Sequence, residues 1–195
     1  RDGFSAFLCS GSLERSARSL FKPINAASGV KKESLMNAET RAYRPNVGIM
    51  LVNAKNKVFV GQRLDRFTNA WQMPQGGIDE GEDPDDAVFR ELVEETGVTR
   101  NLVCVEAITK DWIYYDFPED IIDKLWSGKY RGQRQRYYLM RYLGQNDQIN
   151  IHTKEPEFSA WKWIDISDLL DNIVAFKRDV YRQVITEFRE YLETS

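Results

Sequence analysis

A chain of 195 residues allows a single domain with a sizeable core, and leaves room for a tail. Its hydrophobic content of 42 % is ordinary for a globular protein, and no run approaches the roughly 18 apolar residues of a membrane span. The formal net charge of −3 argues against indiscriminate attraction to nucleic acid, DNA included, while leaving room for a local basic patch.

Cys9 and Cys104 lie far apart without metal-ligand spacing, which favours reduced thiols and an intracellular, cytoplasmic setting. The single histidine, His152, reads as a surface residue and argues against histidine-based catalysis. Residues 1–35 are rich in Ser, Lys and Arg and lack periodicity beyond a short helix around Leu13 to Phe21. Three readings compete there: translated upstream or cloning-derived sequence, a disordered tail, and an organellar transit peptide. The first two are favoured, because Met36 opens a stretch, MNAETRAYRPNVG, that looks like a natural start. The folded domain is accordingly expected over residues 36–195, with an organellar location only if the tail is a transit peptide.

From residue 43 the chain becomes orderly. Val47 to Val52 and Lys57 to Gln62 read as strands joined by a turn at Asn53 to Asn56. Trp71 to Pro74 leads into a loop containing Gly76 and Gly77, whose lack of a Cβ permits close backbone approach. Pro84 to Thr96 reads as a helix: Asp83 is a good N-cap, Pro84 suits the first position, and Asp85 and Asp86 complement the dipole. Gly97 is a stop signal. Val103 to Lys110 reads as a strand, Glu119 to Trp126 as a short helix, and Arg136 to Tyr142 as a strand. Phe158 to Ile164 is a further strand with Trp161 and Trp163 on one side. Val180 to Leu192 is an amphipathic helix with Val180, Val184, Phe188 and Tyr191 as its stripe. Mixed strands with helices fore and aft give an α+β layered fold.

The chemistry concentrates on the first helix. Glu91, Glu94 and Glu95 stand at i, i+3 and i+4 and share one face, while Phe89, Leu92 and Val93 are expected to face a core on the other side. Like charges at such spacing repel by about 0.2–0.5 kcal/mol per pair, so a chain that keeps them usually has a cation there. Carboxylate oxygens suit hard ions such as Mg²⁺ or Mn²⁺, and Mg²⁺ in turn usually implies phosphate. Arg90 and Glu94 form an i, i+4 pair that would hold one carboxylate ionised and oriented. The competing reading is an acidic, solvated helix face, in which spacing, glycines and Arg90 would all have to coincide.

Gly76, five residues, Glu82, seven residues, Arg90-Glu91-Leu92, one residue, Glu94-Glu95, one residue and Gly97-Val98 together resemble the complete box of the Nudix hydrolase family. Tyr43 to Gly48, WQMPQGG at 71–77, YDFP at 115–118, Gly132-Gln133 with Gln135, Pro156-Glu157-Phe158 and Phe176 to Tyr181 are similar to one branch of it. That branch holds RNA pyrophosphohydrolases and diadenosine polyphosphate hydrolases. The resemblance implies a mixed sheet sandwiched between helices (α/β/α), and hydrolysis of a phosphoanhydride by water with two or more Mg²⁺ or Mn²⁺ ions. It implies Glu91, Glu94 and Glu95 as ligands, with the Gly77 carbonyl completing the set and Glu157 as ligand or general base. Gly76, Glu82, Arg90 and Gly97 would support the site. It places Arg44 and Arg63 on phosphates and Phe176 against a base. By the residues alone Arg63 reads equally as a surface arginine, and Phe176 equally as core beneath the last helix. Lys124, Lys129, Arg131, Arg134 and Arg136, interleaved with Trp126, Tyr130 and Tyr137, read either as an attractor for an RNA 5′ end or as a solvated face. Trp71, Trp161 and Trp163 read as core. The expected activity is removal of pyrophosphate from 5′-triphosphorylated RNA. The runner-up is hydrolysis of diadenosine tetraphosphate to ATP and AMP. A catalytically silent nucleotide- or RNA-binding module is the third reading, against which the intact box argues.

Overall fold

The six-residue run Val47 to Val52, apolar throughout apart from Gly48, sets the centre of the molecule. Its residues are all buried and belong to β1 (Ala42–Val52), as expected of a strand covered on both faces. The computed structural model describes residues 40–64, 70–122 and 125–193, all within one unit, Asn37–Ser195. The tail expected at residues 1–35, its short helix and Cys9 lie outside the described residues.

β1 pairs in parallel with β7 (Tyr130–Tyr142), and antiparallel with β2 (Val58–Arg63) and β4 (Gln75–Gly77). β2 also carries β3 (Trp71–Gln72) and β8 (Phe158–Ile164), while β7 carries β5 (Val103–Ile108) and β6 (Ile113–Asp116). The eight described strands form one mixed sheet. Asn56 takes φ 55° in the turn between β1 and β2, where the Asn53 side chain accepts from the amides of Lys55 and Lys57.

Alternation along the strands sends side chains to two cores. Met50, Val52, Val58, Val60, Tyr137 and Leu139 meet the helix Arg178–Glu193 through Val180, Tyr181, Val184, Phe188 and Leu192. Val47, Ile49, Leu51, Phe59, Tyr138 and Met140 meet the helix Pro84–Thr96 through Ala87, Val88 and Leu92. Helix, sheet, helix is thus the layering, as expected. In chain order the helices are α1 (Pro84–Thr96), α2 (Glu119–Ile122), α3 (Leu169–Asn172) and α4 (Arg178–Glu193). Trp161 and Trp163 pack on Phe59, the first stacked at 5.5 Å and the second edge-on at 5.9 Å. Trp71 is half-buried against the other core with Lys162 over its ring.

The differences from the sequence reading have physical causes. β1 and β7 begin earlier than expected, because the polar runs Ala42 to Asn46 and Tyr130 to Gln135 pair with each other. β3, β4 and β6 are short and exist only by pairing with distant partners. Of the helix expected over Glu119 to Trp126, Glu119–Ile122 is helical among the described residues, and Ser127 and Gly128 turn left-handed just before β7. On α4 the stripe closes with Leu192 while Tyr191 is exposed; burying the Tyr191 ring would also demand a partner for its hydroxyl. His152 and Cys104 are exposed. No helix among the described residues is long and apolar enough to cross a membrane.

Candidate active site

α1 is fixed at both ends by local chemistry. The Asp83 side chain accepts from the Asp85 amide at 2.8 Å, Pro84 starts the helix, and Gly97 (φ 68°) closes it with its amide on Val93 O. A Cβ on Gly97 would also come within 2.9 Å of Asn150 O.

The orientation of α1 overturns one expectation. Leu92 faces the core and Phe89 is half-buried against it, but Val93 is 41 % exposed. Glu91 and Glu95 are instead buried, at 8 % and 2 % exposure. Buried carboxylates need hydrogen bonds or charge partners, and these come from the β4 loop and from Arg90. The Gln75 amide donates to Glu95 Oε2 at 2.8 Å. Arg90 donates to Glu82 through Nε and Nη2, both at 2.7 Å, to Glu91 Oε1 at 2.8 Å, to Glu94 Oε2 at 3.0 Å and to Gly77 O at 2.8 Å. The hydrogen bond from Arg90 holds Glu82 below the usual carboxylate range, and Glu82 in turn raises the arginine. Glu82 also accepts from the Asp79 amide, bracing the loop ahead of α1. The Gly77 carbonyl has a second lone pair beyond the one facing Arg90. Gly76 is required by contact: a Cβ there would stand 1.8 Å from Glu91 Cδ. At Gly77 a Cβ would stand 2.0 Å from Arg44 Nη2.

Burial raises the pKa of Glu91 against the opposing effect of Arg90, and Glu94 and Glu157 raise it further. Burial raises Glu95 far more, with Glu157 the next cause. Four carboxylates from α1 and the start of β8 therefore crowd one another, and Glu95 Oε1 is buried without a hydrogen-bond partner. Hard oxygen donors in mutual repulsion, one of them orphaned, fit a divalent cation. Among the described residues no three His, Cys, Asp or Glu side chains are gathered closely enough to hold a metal ion as they stand; Arg90 holds Glu91 and Glu94, and the Gln75 amide holds Glu95.

Beside this cluster lies an open cleft of about 380 Å³. Glu91, Glu94 and Glu157 line it together with Arg44, Arg63, Lys177 and Phe176. The structure thus brings the sequence-read Glu91, Glu94, Glu157, Arg44, Arg63 and Phe176 together, with Lys177 added to them. The Phe176 ring stacks on Tyr115 at 6.1 Å and 28°, so it is both the margin of a core and a wall of the cleft. The basic stretch is not brought in. On β7, Arg134 and Arg136 alternate with Gln133 and Gln135 and point to the opposite face, where Arg134 covers the Trp112 ring at 4.8 Å. Arg131 grips Asp116 with two hydrogen bonds, at 2.9 and 3.0 Å. Lys124 and the side chain of Trp126 lie outside the described residues.

Sequence reasoning missed the floor of the cleft. Lys177, 5 % exposed, donates to Gln75 Oε1 at 2.9 Å and Gln72 Oε1 at 3.3 Å. Gln135 Nε2 donates to Asn46 at 2.6 Å and Gln75 at 3.2 Å, and the Tyr115 hydroxyl donates to Gln133. Gln72 Nε2 is buried without a partner. The available signal was amides at alternate positions in otherwise apolar strands, as in Gln133 and Gln135, which mark a polar, ligand-facing stripe.

Comparisons with known proteins agree with this geometry. The NUDIX domain family matches residues 42–184. An RNA pyrophosphohydrolase of Roseobacter denitrificans is 55 % identical over 150 residues, covering 77 % of this chain and 94 % of that protein. One of Rickettsia typhi is 48 % identical over 151 residues, covering 77 % and 92 %. Among solved structures, the Escherichia coli dihydroneopterin triphosphate pyrophosphohydrolase superposes with a TM-score of 0.60 at 18 % identity, covering 75 % of this chain and 99 % of that one. A C. elegans Ap4A hydrolase binary complex superposes with a TM-score of 0.55 at 18 % identity, covering 74 % and 98 %. At such identity these two share the fold.

Proposed function

This chain belongs to the NUDIX family, and from that premise we propose that it is a hydrolase that removes pyrophosphate from the 5′-triphosphate end of RNA, leaving a 5′-monophosphate. The observation that carries this reading is the lining of one cleft by the carboxylates Glu91, Glu94 and Glu157 together with the cations Arg44, Arg63 and Lys177 and the Phe176 ring.

Each group has a task that its chemistry suits. Arg44, whose guanidinium lies over the Cβ-less Gly77, and Arg63 present forks to phosphate oxygens. The Phe176 ring, already held by Tyr115, offers a face to a base; such stacking contributes about 1–3 kcal/mol. Glu91, Glu94, Glu95, Glu157 and the Gly77 carbonyl would hold divalent cations, Mg²⁺ or Mn²⁺, two or more of them. When bound, these cations supply positive charge opposite the charge that develops on the phosphoryl oxygens. Arg90 acts through the carboxylates, fixing Glu82, Glu91 and Glu94 and the Gly77 carbonyl before substrate arrives. Glu157 takes a proton from the attacking water. Water adds to one phosphorus of the anhydride, the P–O–P bond breaks, and pyrophosphate leaves without a covalent enzyme intermediate.

The test compares kcat/KM for a short triphosphorylated RNA with that for diadenosine tetraphosphate, in Mg²⁺. A preference for RNA with pyrophosphate released supports the reading. A preference of about a hundredfold for the dinucleotide, roughly 2.7 kcal/mol of transition-state binding, replaces it with a nucleotide-clearing hydrolase. Absence of turnover on both leaves a silent binding module.

A further inference from the structure

The basic stretch left outside the cleft builds a surface of its own. Three strands each send one residue into the cleft and turn its neighbour to the opposite face of the sheet. These pairs are Arg44 and Tyr43 on β1, Tyr115 and Tyr114 on β6, and Gln133 and Arg134 on β7. On that opposite face Tyr114 and Arg134 are cross-strand partners, and the Tyr43 ring meets the Tyr114 ring edge-on at 4.9 Å. The Arg134 guanidinium covers the Trp112 ring at 4.8 Å, and the Arg131 guanidinium stands 5.1 Å from the centre of the Tyr43 ring.

Exposure and charge narrow what the patch can hold. Tyr114 is 52 % exposed on β6, an edge strand among the described residues, and Tyr43, Trp112, Arg134 and Arg136 are half-buried. Asp116 is taken up by Arg131 and the Tyr43 hydroxyl, whereas Arg134 and Arg136 form no ion pair among the described residues. Beyond Arg136, the Tyr138 hydroxyl donates to Asp85 at the acidic start of α1, and the positive run ends there. Guanidinium groups without carboxylates, set among aromatic faces, suit single-stranded nucleic acid, which offers phosphates to the first and bases to the second. Continuity selects this occupant over a folded protein: Tyr115 and Phe117 line the cleft, so a strand leaving it rounds the β6 edge to reach Tyr114.

We propose that this patch holds the body of a single-stranded RNA, a few nucleotides downstream of the 5′ end that lies in the cleft. The proposal rests on the RNA reading of the cleft. The Tyr114 ring and the guanidinium plane of Arg134 take bases, and Arg136 takes a phosphate. A dinucleoside polyphosphate ends before the patch and gains nothing from it, so the surface favours RNA chains over such nucleotides.

The test is fluorescence anisotropy of a single-stranded RNA of about 12 nucleotides, within the reach of such surfaces. Its 5′ end is a hydroxyl, so binding depends neither on the triphosphate nor on turnover. The variants are Tyr114→Ser, Arg134→Gln and Arg136→Gln in the whole protein, with thermal unfolding to show that each is folded. The first two are expected to raise Kd about tenfold, the contribution of one stacked base. Arg136→Gln is expected to lessen the salt dependence of Kd by about one phosphate contact. In all three, kcat/KM on a triphosphorylated dinucleotide stays at the parental value. A parent that does not bind this RNA, a parental Kd in folded Tyr114→Ser and Arg134→Gln, or an equal loss of turnover on the dinucleotide overturns the proposal. The patch is then a brace for the sheet edge or a surface for a protein. Turnover of the parent on triphosphorylated RNA decides the RNA reading separately, because the anisotropy needs no reaction.

Discussion

At the scale of single residues, Arg90 explains how Glu91 and Glu94 share a helix face without unfolding it. Its guanidinium spreads over Glu82, Glu91, Glu94 and the Gly77 carbonyl, a geometry that a lysine cannot reproduce. Glu94 is the member with the most solvent, its side chain 55 % exposed. Glu94→Gln is therefore expected to leave the unfolding temperature near that of the parent while metal-dependent turnover falls by orders of magnitude; unchanged turnover would remove Glu94 from the site. Asp116 gives a pH-dependent case away from the carboxylates. Its pKa is depressed, chiefly by the hydrogen bond from Arg131, against a rise from burial that the Tyr43 hydroxyl and the Arg131 charge help to offset. A depressed carboxyl stabilises above its unfolded pKa, near about 4, and the gain is lost as pH falls through the folded value. The stability difference between parent and Asp116→Asn should be flat from neutral pH to mildly acidic and shrink below that. With Asp116 half exposed its size is about 1 kcal/mol or less, and chemical denaturation at a series of pH values measures it.

At the scale of elements, what was legible depended on how local the cause was. α1 was readable to its ends because Asp83, Pro84 and Gly97 act within a turn of themselves. Asp83→Ala is expected to cost about 1 kcal/mol through the lost cap, seen as a lower denaturation midpoint with an unchanged slope. β8 was readable because Phe158, Ala160, Trp161, Trp163 and Ile164 make most of its seven residues apolar. β3, β4 and β6 were not, since two to four residues become strand only when β1, β2 and β7 supply partners. The facing of α1 was misread for a related reason. Hydrophobicity placed Val93 inward and the glutamates outward, but the Gln75 amide and Arg90 make burial of Glu95 and Glu91 affordable in hydrogen bonds. That compensation arrives from β4, which no periodicity on α1 reveals. The box glutamates could still be singled out by spacing, whereas the side of the helix they occupy required the sheet.

At the scale of the whole molecule, the mixed sheet gathers residues that the chain keeps about a hundred apart. Gln72 and Gln75 come from β3 and β4, Gln133 and Gln135 from β7, and Lys177 from the turn before α4. Lys177 is the joint between the two halves. Its ammonium holds the Gln75 side chain while the Gln75 amide holds Glu95, so one residue of β4 couples the substrate wall to the carboxylates. Lys177→Met preserves length and removes the donors. It leaves the Gln72 oxygen without its Lys177 contact and the Gln75 oxygen with Gln135. An acceptor stranded in this way costs about 1–3 kcal/mol, so the unfolding temperature should fall measurably. If the ammonium also faces the polyphosphate across the cleft, KM for triphosphorylated RNA should rise by more than kcat falls. A variant that loses stability but keeps the parental KM would confine Lys177 to bracing the floor, and would leave Arg44 and Arg63 as the cations that meet the substrate.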